Sequence, residues 1–257
     1  MSSKIIDLAH WFDTPAGQHL HNWQMQHVTQ AVANCFGYHA LQLGMEQVDF
    51  LAESRVQHHW HAAVDCTDNA AVQLVLDPRA LPFDANSLDL VLLPYTLEAS
   101  ADPHAVLREV ERVLVPEGRL VVLGFNPTSL WGLQQAYSGV LQRLGADTPP
   151  FIPDVDDLIS VGRLRDWMRL LSLQVDGGRF GCYRPGVASP KWFERWQWLE
   201  KAGDRWWPMC GGVYLLEAVK RVQGVRMLQP RWKLAKAGRT ATTVAQRRET
   251  QKVKHHD

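Results

Sequence analysis

Asp77 stands at the end of an apolar run, Val72 to Leu76, and Leu81-Pro82-Phe83 follows it at once. A carboxylate at a strand end can accept a hydrogen bond from the exocyclic amine of a heterocycle, and Leu81 and Phe83 can wall a flat ring. The plainer alternative is a turn at Asp77-Pro78 and an apolar plug at the sheet edge. Imidazoles are the other chemical resource. His58-His59-x-His61 puts His59 and His61 on one strand face, and His19 and His21 add two more. No cysteine or carboxylate completes a ligand set at metal spacing, so these read as surface or packed side chains and no metal is expected. Ser-His-Asp, P-loop and zinc-finger spacings are absent from the sequence.

The elements that must position these residues are clearest in the middle of the chain. Asp89 to Leu93 is a continuous apolar strand, and Asp102-Pro103 is a cap-plus-proline helix start. Val106, Leu107, Val110, Val113 and Leu114 then share one helical face, with Arg108, Glu109, Glu111 and Arg112 on the other. Pro116-Glu117-Gly118 reads as the end of that helix, and Leu120 to Leu123 as the next strand. Strands without alternation, separated by an amphipathic helix, predict a parallel sheet covered on both faces. Upstream, Asp13-Thr14-Pro15 opens a helix to about Cys35, and Tyr38 to Gly44 reads as a strand; Met45 to His61 fits neither period. Downstream, Val155 to Leu171 reads as a helix, and 173–183 and 213–219 as strands. Between those strands lie Trp192, Trp196, Trp198, Trp206 and Trp207, which can pack in the core or meet a partner.

The 257 residues, 46% hydrophobic and 21% charged, exclude a disordered or fibrous chain. Charges balance at 27 each, but unevenly: from Lys220 onward 11 basic residues face Glu249 and Asp257, a net of +9, which leaves −9 on the rest. The residues after Arg226 lack apolar periodicity and read as a mobile basic tail. A solvated tail is favoured; contact with nucleic acid is the alternative. Cys35, Cys66, Cys182 and Cys210 form no CxxC pair, and no signal peptide or membrane-spanning run is evident. The expectation is a cytoplasmic protein with reduced, buried thiols.

The order of features from Leu74 to Asn126 resembles the central part of class I S-adenosylmethionine-dependent methyltransferases of the small-molecule kind. It has a strand ending in Asp77, the loop Leu81-Pro82-Phe83, and a strand starting at Asp89. Leu97-Glu98, Asp102-Pro103, Arg112-Val113-Leu114 and Pro116 with Gly118 follow. Gly124-Phe125-Asn126-Pro127, Ser129 and Gly132-Leu133 are similar to a little-characterised proteobacterial branch. The resemblance is firm over 74–126 and loose over about 15–220. It implies a Rossmann-like doubly wound α/β sheet at 38–225, after an N-terminal helical segment at 1–37 and before the tail at 226–257. It also implies S-adenosylmethionine as cofactor, with Asp77, Leu81 and Phe83 around adenine, Asp65 as the ribose-binding acid and Gly44 in the turn that approaches methionine. Tyr95 and Glu98, past the strand that begins at Asp89, are the candidates nearest a methyl acceptor, and that acceptor is not identified by any residue.

Three departures accompany the resemblance. The family's acidic residue and Gly-x-Gly-x-Gly turn are replaced by Gln42-Leu43-Gly44-Met45-Glu46-Gln47-Val48, in which Glu46 and Val48 stand where glycines belong. Pro78 follows Asp77 and has no N–H to offer adenine. The interval from Asp65 to Asp77 is too short for a full helix and strand. The retained block from Leu74 to Asn126 makes an enzyme the first reading, and the departures favour the alternative, a methyltransferase-fold module that binds or scaffolds. One expectation is testable at this level. Truncation after Leu228 should leave the melting temperature within a few degrees in a thermal scan, because a mobile segment buries little apolar area. A large drop would show that the tail docks on the body.

Overall fold

The computed structural model describes residues 11–64, 72–145, 151–152, 158–186 and 189–222. Asp65, Cys66, the expected helix start at 155–157 and the basic tail lie outside them. In chain order the elements are α1 (Pro15–Ala33), β1 (His39–Leu43), β2 (His58–Ala63), β3 (Leu74–Val75), β4 (Leu88–Pro94), α2 (Thr96–Ala99), α3 (Pro103–Val113) and β5 (Leu114–Phe125). There follow α4 (Leu130–Arg143), α5 (Val161–Leu170), β6 (Leu173–Gly181), α6 (Pro190–Arg195), α7 (Trp198–Trp206) and β7 (Val213–Lys220). Side-chain caps explain several helix starts: Thr14 accepts from the Gly17 amide, Asp102 from Ala105, Ser129 from Gly132 and Ser160 from Arg163.

The strands form one seven-stranded sheet in the order β3-β2-β1-β4-β5-β7-β6. β1 to β5 run parallel, whereas β7 is antiparallel to both β5 and β6. The parallel pairing expected of the central strands is found between β4 and β5, within a sheet that is mixed as a whole. Along β4, Leu90 and Leu92 enter one core cluster while Val91 and Leu93 enter the other, which is why the strand shows no alternation. α1 covers the first face with Leu20, Val28 and Val32; α3 and α5 cover the second with Val106, Val110, Leu164 and Met168.

Other expectations need revision. α3 stops at Val113, and Pro116-Glu117-Gly118 lies inside β5 as an irregularity that shifts the pairing from Leu88↔Leu114 to Leu90↔Arg119. β3 is two residues long. Cys35 and Cys182 are buried free thiols, but Cys210 is exposed at the end of a 3-10 turn, 208–210. No helix among the described residues is long and apolar enough to cross a membrane.

Of the stretch that fitted neither period, Met45 to His61, the last four residues open β2 and the rest contains no helix. It folds across the sheet as a loop and buries Val48, Phe50, Leu51 and Val56 in the α1-side core. A loop lying on a sheet must satisfy its own backbone groups, and here one side chain does much of that. Gln42, 1% exposed, donates from Nε2 to the Val48 carbonyl at 2.6 Å, with longer contacts to those of Gly44 and Met45 at 3.4 Å. Its Oε1 accepts from the Phe50 amide at 3.0 Å. Val48 is therefore a core residue of this loop. Gln42→Leu keeps the volume and strands a buried carbonyl and a buried amide, at a cost of about 2–3 kcal/mol. The expected outcome in thermal unfolding is a drop of roughly 4–12 °C for a chain of this size; an unchanged midpoint would mean that the loop does not depend on Gln42.

Candidate functional site

The order of strands reverses between β1 and β4, the place where open α/β sheets bind ligands beyond the carboxyl ends of their strands. There β1 runs into Gly44 at φ +96° and Met45 at φ +52°. β4 runs into Tyr95, also left-handed at φ +58°. The Thr96 hydroxyl donates to the Leu43 carbonyl and ties the two strand ends together. A Cβ on Gly44 would lie 3.0 Å from Thr96 Oγ1 and 3.3 Å from the Pro94 carbonyl. Glycine is required by its dihedral and by that close approach.

Beyond this turn lies a cavity of about 480 Å³, lined by Phe12, Gln18, His21 and Asn22 and by Gln47 and Val48. Its volume suits a cofactor or small ligand. The first four come from the start of α1 and the turn before it, the last two from the loop after β1. Gln18, His21 and Asn22 meet because positions three and four apart share a helix face. That spacing is in the sequence, but its pairing with Gln47 and Val48 depends on how the loop crosses the sheet. The polar part of the cavity wall is carboxamide and imidazole rather than charge, beside the apolar Phe12 and Val48.

The expected site residues are distributed more widely. Asp77 is exposed and gripped by Arg79, with Nε at 3.0 Å from Oδ1 and Nη2 at 2.8 Å from Oδ2. Hydrogen bonds from Arg79 hold its carboxyl below the usual carboxylate range. Leu81 is buried in the core between the sheet and α3, and Phe83 packs against it with its ring 5.4 Å from that of Trp60. α3 pins the loop between them: Arg112 donates to the carbonyls of Leu81 and Phe83, each at 2.9 Å, and Glu109 accepts from the Leu81 amide at 3.1 Å. Neither Leu81 nor Phe83 lines the cavity. Gly44 is in the turn described above, and Asp65 lies outside the described residues.

Tyr95 and Glu98 are both buried, and neither lines the cavity. The Tyr95 hydroxyl donates to Gln24 Oε1 at 3.0 Å, and its ring stacks on Phe125 at 4.5 Å. Glu98 Oε1 accepts the Phe125 amide at 2.8 Å. Burial drives its carboxyl well above the ordinary value near 4.5, against the pull of the Phe125 and Ile159 backbone groups. Glu98 thus anchors the end of β5 as a buried acid.

Comparison with known proteins agrees with this architecture. The family described as "Methyltransferase domain" matches residues 62–122. A protein of Escherichia coli (strain K12), "Uncharacterized protein YafS", is 32% identical over 166 residues, covering 64% of this chain and 65% of its own length. The ubiquinone/menaquinone biosynthesis C-methyltransferase UbiE of Ruegeria sp. (strain TM1040) is 32% identical over 99 residues, 37% of this chain and 38% of that one. Among solved structures, a SAM-dependent methyltransferase of Thermotoga maritima superposes with a TM-score of 0.57 at 14% identity, covering 84% of this chain and 95% of its own. Residues 62–122 thus match a methyltransferase-domain family, and the fold is the one seen in SAM-dependent methyltransferases. The chain spans less than two thirds of the length of these curated relatives. The same fold also carries other chemistry: the [4+2]-cyclase SpnF superposes with a TM-score of 0.53 at 15% identity, covering 78% of this chain and 81% of its own.

Glu98 gives a pH test. Its proton is held in the folded state and lost earlier in the unfolded one, so stability is fully present below about pH 4.5 and declines as pH rises toward the folded pKa. Glu98→Gln removes that dependence. Relative to it, the wild type should lose about 1.4 kcal/mol per pH unit above the unfolded pKa, read from urea unfolding at successive pH values. A constant difference across pH would show that Glu98 is ionised in the fold.

Proposed function

We propose that the chain is an S-adenosylmethionine-dependent methyltransferase whose cofactor binds at the carboxyl ends of β1 and β3. The observation that carries this reading is the cavity beyond Gly44, at the reversal point of a sheet with this strand order. The residues present fit such a group. Asp77, exposed although paired with Arg79, keeps lone pairs for an adenine amine, and Gly44 supplies the left-handed turn that ends β1 beside Thr96. Gln18, Asn22 and Gln47 offer carboxamides, and His21 an imidazole, to an amino-acid end. When bound, the cofactor supplies a methyl group already activated by its sulfonium.

The protein's share is then positioning and the exclusion of water. α1 and the 44–57 loop form the walls, so residues from opposite ends of the site close on the same ligand. The acceptor itself is left open. A second reading, a binding module without transfer, is favoured by one feature: the Gln42 amide and the Thr96 hydroxyl are both committed to protein carbonyls.

Titration calorimetry and thermal shift with S-adenosylhomocysteine separate the readings. Ligand at 100 times its dissociation constant stabilises a protein by about 2.7 kcal/mol, here a rise of roughly 5–11 °C. Asp77→Ala and Asn22→Ala should each weaken binding at least about tenfold, the loss of one good hydrogen bond to a charged or buried group, with the fold unchanged. No heat and no shift at millimolar ligand would move the assignment to the binding module. Adenosine binding as well as the full ligand would mean that the cavity does not recognise methionine.

A further inference from the structure

In the loop after β3, the backbone donors from Pro78 to Pro82 are all absent or committed. The two prolines have no N–H. The Arg79 amide donates to Asp77 Oδ1 at 2.9 Å, the Ala80 amide to the Asp77 carbonyl at 3.0 Å, and the Leu81 amide to Glu109 Oε2 at 3.1 Å. A ligand that meets this stretch finds its donors on a side chain, and Arg79 carries them. Its Nε and Nη2 are taken up by the Asp77 carboxylate, whereas Nη1 has no partner among the described residues. Asp102, another acid near Arg79, caps α3 through the Ala105 amide. The Arg79 side chain is 50% exposed. We propose that Arg79 is a specificity-determining residue of the cofactor site, donating to the ring nitrogen N1 of adenine while Asp77 accepts from the neighbouring amine.

The inference rests on the function proposed above and adds a residue to its site. The edge of adenine that bears the exocyclic amine sets a donor, the amine, beside an acceptor, N1. An ionised carboxylate only accepts, so Asp77 alone satisfies half of that edge. A carboxylate gripped side-on by a guanidinium offers an acceptor and a donor together, in one planar unit. Hydrogen bonds from Arg79 also keep the Asp77 carboxyl ionised, the form that accepts. The unit is held at both ends. Upstream, the Leu76 amide donates to the Ala63 carbonyl at 2.9 Å. Downstream, Arg112 donates to the carbonyls of Leu81 and Phe83. An exposed ion pair of this kind adds little to stability; its use lies in the groups it presents.

The test is calorimetric titration of the full chain with S-adenosylhomocysteine and with its 1-deazaadenine analogue, in which C–H replaces N1 and the amine is kept. The wild type should bind the analogue about tenfold more weakly, because a charged donor loses its acceptor. Arg79→Met keeps the length of the side chain without its donors, and should bind the two ligands alike. Arg79 is half exposed, so the melting temperature of the variant should match that of the wild type. Equal binding of both ligands by the wild type would overturn the proposal and leave cofactor binding itself intact. So would a preference that survives unchanged in Arg79→Met, which would mean that Arg79 acts through Asp77 or by charge alone. Failure of the wild type to bind either ligand at millimolar concentration would overturn the proposed function and this inference with it.

Discussion

The chain has to cross from β1 to β2 over one face of the sheet without a helix, and a buried carboxamide makes that possible. Backbone groups in a covering helix satisfy each other; those in a covering loop must find partners elsewhere or pay the full cost of desolvation. Gln42 supplies both an acceptor and donors from one buried position, and spans Gly44 to Phe50. Once the loop is fixed, Val48, Phe50, Leu51 and Val56 can act as core residues. An acid at position 42 could accept from Phe50 but would face the Val48 carbonyl with a lone pair. The residue type follows from the loop, not from the ligand.

The geometry of the site depends on that crossing. With a loop in place of a helix, α1 lies against the sheet and its first turns reach the carboxyl end of β1, where Gln18, His21 and Asn22 meet Gln47 and Val48. On the other face, α3 fixes the loop after β3 through the Glu109–Arg112 pair, whose value lies in its backbone contacts more than in its partly exposed ion pair. The ends of β1 and β3 are thus held by side chain-to-backbone hydrogen bonds, from Gln42 and Thr96 for the one and from Arg112 for the other.

How much of this was legible in the sequence varied with how local the cause was. β4 and α3 were, because apolar continuity and a one-sided stripe with a capped, proline-marked start are properties of neighbouring residues. α4 was not: its exposed face is apolar and its buried face holds Trp131, so the usual contrast is inverted. The antiparallel turn of β7 has no local signature either. Near the end of β1, the need for glycine at position 44 was readable, but Leu81 and Phe83 show that residue type does not give direction. Their apolar rings and branches suit a purine as well as they suit the core where they are found. Val48 gave the opposite difficulty. As a substituted glycine it suggests a damaged turn, whereas in the folded loop it is a buried contact and a wall of the cavity.

The position of β7 sets an order on synthesis. β6 has β7 as its sole neighbour in the sheet, and β7 is made later, after α6 and α7. At ~5–20 residues per second, β6 waits on the order of seconds with no strand to pair with. Its sequence tolerates the delay: Asp176, Gly177, Gly178 and Arg179 interrupt the apolar residues, and the pairing slips between Val175 and Gly177. Charges, glycines and a bulge are what keep a lone strand from recruiting another nascent chain. The least apolar strand of the sheet is the one that must spend longest unpaired.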